Sequence, residues 1–142
     1  MEVAILGIDL AKNTFQLHGA DRHGHAVHRS KIRRSELLSM VSSLQPRLIA
    51  MEACSSAHHW ARRFLAMGIG VRLISPQYVT PFVKTNKNDR NDAEAIVEAA
   101  CRPAMNFVSV KSVEQQDIQA VHRIRELLVH HRTARAGSRT SR

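Results

Sequence analysis

The sequence predicts an α/β fold, a mixed sheet with helices packed on its faces, and three observations carry that reading. Three short strand-like runs, the first apolar and rich in β-branched residues, stand close together at the N-terminus around a tight turn. The apolar period then switches from two to about 3.6 and back again along the chain. Two of the short apolar runs, VAILGI and LIAM, end directly on an acid, Asp9 and Glu52.

Each element follows in order. Residues Val3–Asp9 are apolar on both faces and read as a buried strand. Thr14–Ala20 alternates Phe15 and Leu17 with polar residues, a half-buried strand. Asp21-Arg22-His23-Gly24 is a turn with glycine where positive φ is needed, and His25–Ile32 returns as the third strand of a hairpin. Ser35 is placed to cap a helix bearing Leu37, Leu38, Val41 and Leu44 on one face. Leu48–Glu52 is the fourth strand. Ser55 or Ser56 opens a helix with Ala57, Trp60, Ala61, Phe64 and Leu65 at core spacing, stopped near Gly68. Val71–Ile74 is a fifth strand, and Pro76 suits the first turn of a short helix. Lys84–Arg90 is a polar, basic loop. Asn91-x-x-Glu94 matches a capping box ahead of Ala93, Ile96, Val97 and Ala100.

The order β-β-β-α-β-α-β-α, an antiparallel triplet followed by αβ crossovers, is that of the ribonuclease-H-like fold. Residues 1–106 are assigned to this domain. Residues 107–131 form an extended segment and then a long, protruding helix, capped by Ser112-x-x-Gln115, whose stripe of Ile118, Val121, Ile124 and Leu128 needs a partner. Residues 132–142 carry four arginines and no acid, the composition of a disordered basic tail.

Composition narrows the function classes. The net charge of +9 points to a polyanionic partner, although ribosomal or membrane-surface binding fits the charge as well. Aromatic content of only 4% leaves the core to aliphatic residues and alanine. Cys54 and Cys101 lie far apart, without a Cys-x-x-Cys pair, which argues against a zinc site or a disulfide scaffold; both read as small buried residues. The N-terminal apolar run is too short to span a bilayer and lacks a charged leader, the pattern of a cytoplasmic chain with no membrane partner.

Four acids fall where chemistry is expected. Asp9 and Glu52 close two strands that should lie side by side, and Asp89 and Asp92 stand three apart at the start of a helix. Singly, each has an ordinary reading as a turn or first-turn acid. Together, four clustered carboxylates repel one another unless a cation joins them. Phosphodiester cleavage needs such a cluster, holding two Mg²⁺ or Mn²⁺ ions about 3.5–4 Å apart to neutralise the attacking and leaving oxygens. Lys12 follows the first acid, and Lys84, Lys87 and Arg90 flank the second pair; each suits a nucleic-acid backbone or plain solvent. His58 and His59 project in different directions and make a poor joint metal site. His18, His23, His25 and His28 read as a polar, exposed sheet face, and Trp60 as core.

Three segments carry a family resemblance: Gly7-Ile8-Asp9-Leu10-Ala11-Lys12, Met51-Glu52-Ala53-Cys54 and Lys87-Asn88-Asp89-Arg90-Asn91-Asp92-Ala93. With Phe107–Gln116 and the helix through His122–Val129, they resemble the N-terminal domain of the DEDD transposases. These are insertion-sequence recombinases related to the Piv invertase and built on a RuvC-like core. The resemblance extends to about Thr133. It implies that Asp9, Glu52, Asp89 and Asp92 are the catalytic metal ligands, with Mg²⁺ or Mn²⁺ as cofactor. It also implies DNA as substrate, a structured guide RNA, homo-oligomers formed through the C-terminal helix, and action at the nucleoid of a bacterial or archaeal cell. Family members continue into a domain bearing a serine nucleophile, so the arginine-rich end is read as a truncation or frameshift near Ala134. The expected function is therefore strand cleavage and transfer in DNA transposition by the catalytic domain. The alternatives are a non-catalytic nucleic-acid-binding or dimerising remnant and a RuvC-like nuclease using water.

Overall fold

Strand β1 (Ile5–Leu10) sets the plan, because both of its faces are covered. Leu6 and Ile8 point into one apolar cluster and Ile5 into another, so the strand lies at the centre of a sheet with helices on either side. The computed structural model describes residues 2–83 and 89–140, with side chains over 2–83 and 92–129. The chain forms two units, residues 1–110 and 111–142.

In the first unit, β2 (Thr14–Ala20) pairs antiparallel with β1, and β3 (Ala26–Arg33) antiparallel with β2. Asp21 holds the connecting turn by accepting hydrogen bonds from the backbone N–H groups of His23 and His25 at 2.9 and 3.0 Å, and Gly24 takes φ 87°. Strands β4 (Leu48–Glu52) and β5 (Gly70–Ile74) add parallel to β1, and the short β6 (Phe107–Val108) closes the far side antiparallel to β5. The six-stranded order is β3-β2-β1-β4-β5-β6. The mixed α/β sheet expected from the sequence is therefore present. Residues 107–108, the start of the extended segment expected before the long helix, pair with β5 as the last strand of the sheet. The edge strand β3 exposes Arg29, Lys31 and Arg33 at alternate positions.

Helices α1 (Leu37–Leu44) and α2 (Ser55–Ala66) cover one face, where Leu37, Val41, Trp60 and Phe64 join Leu6, Ile8, Phe15 and Met51. Trp60 is core, packed edge-on to Phe15 and alongside Phe64. A 3-10 turn over Arg34–Glu36 precedes α1, so Ser35 is not its cap, and no side chain caps α2. The C-cap of α1 is Gln45, held left-handed at φ 45° with its N–H donated to Val41 O. A non-glycine residue there is strained. Gln45→Gly is expected to raise stability by about 0.5–1 kcal/mol, read as a rise of a few degrees in thermal melting; an unchanged or lower Tm would contradict the strain.

The opposite face holds the short α3 (Pro76–Val79) and α4 (Asp89–Ala100). The latter starts at Asp89, so Asn91 lies inside its first turn rather than at a capping box. Ala93, Ile96, Val97 and Ala100 are buried on the sheet side of α4, and the alanines let the helix approach closely. Arg72 of β5 fixes the far end of α4. It donates to Ala100 O at 2.8 Å and lies 4.9 Å over the Phe107 ring.

The second unit is α5 (Val113–Thr140). Its start is the capping box read from the sequence: Ser112 N–H donates to Gln115 Oε1 and Gln115 N–H to Ser112 Oγ, at 2.9 and 3.1 Å. The backbone stays helical to Thr140, where composition had argued for a disordered tail from residue 132. Ile118, Val121, Ile124 and Leu128 are each more than half exposed.

Candidate metal centre

The site grows from the parallel pairing of β1 and β4. Their register pairs Gly7 with Ala50 and Ile8 with Met51, so Asp9 and Glu52 stand one step further on, at the carboxyl ends of adjoining strands. Strand spacing puts two such backbones about 5 Å apart. Alternation then decides direction. Leu6, Ile8 and Met51 belong to the cluster under α1 and α2, whereas Ile5 and Ala50 belong to the cluster under α4. Asp9 and Glu52 continue the second set, on the face that carries α4.

Gly7 is what brings α4 down to that face. A Cβ built on Gly7 would lie 2.6 Å from Val97 Cγ2 and 2.7 Å from Ala93 O, so the helix rests directly on the strand backbone. Asp92, adjacent to Ala93, is thereby carried to the strand ends. Glu52 registers its arrival. Burial, first, and the negative charge of Asp92, second, push the Glu52 carboxyl above its ordinary pKa. The structure thus brings Glu52 within electrostatic reach of Asp92 and sets Asp9 on the neighbouring strand.

The donor set consists of carboxylate oxygens, which suits a hard divalent cation such as Mg²⁺ or Mn²⁺. The half-buried, mutually repelling pair Glu52 and Asp92 also suits a compensating positive charge. Among the described residues, no three His, Cys, Asp or Glu side chains close into a metal-holding group. The Asp89 and Arg90 side chains lie outside the described residues, as do Lys84 and Lys87 entirely. Lys12 is exposed in the β1–β2 connection, three residues past Asp9.

Among the described residues the histidines and cysteines form no metal-holding group, as their spacing led one to expect for His58 and His59. His58 is buried while its neighbour His59 is exposed, so the two do not converge. Partial burial, then the charges of Arg63, Arg62 and Arg34, hold the His59 imidazole below its usual pKa. On the hairpin His18 is buried at 5% exposure, against the exposed sheet face expected for it. Cys54 and Cys101 are both exposed, not buried: one precedes α2 and the other follows α4, beyond the helical faces that pack. Sequence reasoning missed Gly7 and Arg72 as the groups that seat α4. A glycine in mid-strand is the one signal that could have exposed the first.

Comparison with known proteins follows this geometry. The family model of the IS110-type DEDD transposases, described as transposase, matches residues 6–139. A probable family 20 transposase of Pseudomonas aeruginosa is 53% identical over 134 residues, covering 94% of this chain and 40% of the relative. The transposase of insertion sequence element IS1111A from Coxiella burnetii is 53% identical over 133 residues, 94% of this chain and 36% of its own length. The chain thus spans well under half the length of these relatives. The family match runs through the arginine-rich segment, beyond the limit near Thr133 expected from the sequence. In fold, the chain is similar to Thermus thermophilus RuvC solved with a Holliday junction substrate. The TM-score is 0.54 at 13% identity, over 76% of this chain and 100% of the RuvC chain.

Proposed function

Because this chain belongs to the IS110 family of DEDD transposases, we propose that Asp9, Glu52, Asp89 and Asp92 hold divalent metal ions that act on DNA phosphodiesters during transposition. The observation that carries this reading is the meeting of Glu52 and Asp92 beside the end of β1, where their charges oppose each other. A bound Mg²⁺ or Mn²⁺ would neutralise charge building on the phosphate oxygens.

The chain's own residues do the positioning. Asp9 and Glu52 sit at the ends of paired strands, so their backbones cannot drift apart without breaking the sheet. Asp92 is held by α4, which Gly7 and Arg72 fix at its two ends. Lys12, and Lys84, Lys87 and Arg90 beside the second acid pair, are the basic groups assigned to the flanking backbone.

DNA is the proposed substrate. The net charge of +9 supports it, as does the likeness to a RuvC solved with a Holliday junction. A structured guide RNA follows from the family resemblance. The exposed stripe Ile118, Val121, Ile124 and Leu128 supports homo-oligomers formed through α5. Among the described residues no helix is long and apolar enough to cross a membrane, and the proposed place of action is the nucleoid of a bacterial or archaeal cell. Strand transfer by a serine is a property the resemblance attaches to the family's longer members. A second reading is a nucleic-acid-binding module without catalysis, which the net charge of +9 and the exposed stripe of α5 also suit.

Nicking of supercoiled DNA separates the two. Metal-dependent relaxation by the wild type, lost in both Asp9→Asn and Glu52→Gln, is the expected result. Retained binding without any nicking would instead favour the binding module.

A further inference from the structure

A second feature lies on the other face of the sheet, outside the acidic centre. Between the β3–α1 junction, α2 and the start of β2 is a cavity of about 710 Å³. Arg33, Arg34 and Arg63 line it together with His59, and its lining includes no carboxylate. Its apolar wall is Trp60 and Leu38, and the Arg34 guanidinium lies 5.9 Å over the Trp60 ring. Of the three arginines, Arg63 and Arg34 lie close enough for their charges, after partial burial, to help hold the His59 imidazole below its usual pKa. A cationic lining without a carboxylate favours an anion as occupant.

We propose that this cleft binds the phosphodiester backbone of a nucleic-acid strand, with Arg33, Arg34 and Arg63 on successive phosphates and the Trp60–Leu38 wall against the sugars. Arginine forks match phosphate oxygens in pairs, and the cavity is much larger than one inorganic phosphate requires. Trp60 is only 6% exposed, so it serves as a wall under Arg34 rather than as a stacking platform for bases. The cleft also opens at the end of the sheet where the acids stand. Thr14, which lines it, begins β2 just past the end of β1, and Gln16 pairs with Asp9. A strand crossing that end would be gripped beside the centre that acts on it. The inference rests on the nucleic-acid reading above and adds to it where the strand is held.

The test is binding of a fluorescent 20-nucleotide single strand, as DNA and as RNA, measured by anisotropy across a salt series. The triple variant Arg33→Gln/Arg34→Gln/Arg63→Gln is compared with Arg22→Gln/Arg29→Gln/Arg123→Gln, which removes equal charge elsewhere. Each lost phosphate contact lowers the salt slope by about 0.7 for single strands, so a drop of about 2 and at least tenfold weaker binding at low salt are expected for the cleft variant alone. The DNA and RNA arms tell which strand the cleft prefers. Equal losses in the two triples would overturn the cleft while leaving nucleic-acid binding intact. No binding by the wild type would overturn both readings. Because all three arginines are exposed, folding should survive. The single variant Arg34→Gln, followed with the His59 ring resonances by NMR, reports the site independently: the strand should raise the His59 pKa, and an unmoved His59 would count against it.

Discussion

Asp9→Asn is expected to abolish the thermal stabilisation that Mg²⁺ or Mn²⁺ confers on the chain. An ion binding only the folded state at a hundred times its dissociation constant adds about 2.7 kcal/mol, on the order of 10 °C in Tm for a chain of this size. The metal-free baseline gives a second, opposite signature at Glu52. Its pKa is raised in the fold, by burial and then by Asp92, so its protonated form is the one the fold favours. The stabilisation from that proton is complete below the unfolded-state value and is lost as pH rises through the folded one. At neutral pH without metal, Glu52→Gln should therefore melt higher than the wild type, yet gain little when metal is added. Differential scanning fluorimetry without metal and across a Mn²⁺ titration taken to saturation reads both effects. A wild-type Tm indifferent to metal, or a full metal response in Asp9→Asn, would remove the basis for the metal centre.

Gly7→Ala should be the most damaging single-methyl change in the first unit. The added Cβ meets a side-chain methyl of Val97, which can turn, and the carbonyl oxygen of Ala93, which cannot move unless α4 does. Overpacking of this kind costs about 1–3 kcal/mol and sometimes more; with a backbone atom in the way, about 3 kcal/mol is expected, a loss on the order of 10 °C. Because α4 carries Asp92, metal affinity should fall with stability. Adding Val97→Ala relieves one contact and leaves the other, so rescue should be partial. Full rescue would mean that the carbonyl contact is unimportant.

The legible part of this protein was what local pattern encodes. Short apolar runs and the change of period marked the strands and helices, and the acids closing VAILGI and LIAM pointed to the strand ends where Glu52 comes within reach of Asp92. Long-range approach was not legible. Nothing in the sequence around Gly7 says that Ala93 and Val97 will rest on it, 86 and 90 residues away. Cap chemistry misled at both Ser35 and Asn91, because packing of Leu37 and Ala93 against the sheet, not side-chain capping, fixes where those helices begin. The doublets Arg33-Arg34 and Arg62-Arg63 carry no local signal of a shared site, since only the fold brings the end of β3 to α2.

The cations along β3 have a consequence for the newly made chain. Strands β2 and β3 are joined by a short turn, so their hairpin needs only local contacts and can form early. An eight-residue strand at the border of a sheet would offer its free backbone to any other chain in an extended state. With Arg29, Lys31 and Arg33 outward, two such strands from different molecules would meet with like charges opposed. The border is thus kept from templating aggregates during synthesis, before the rest of the sheet has assembled.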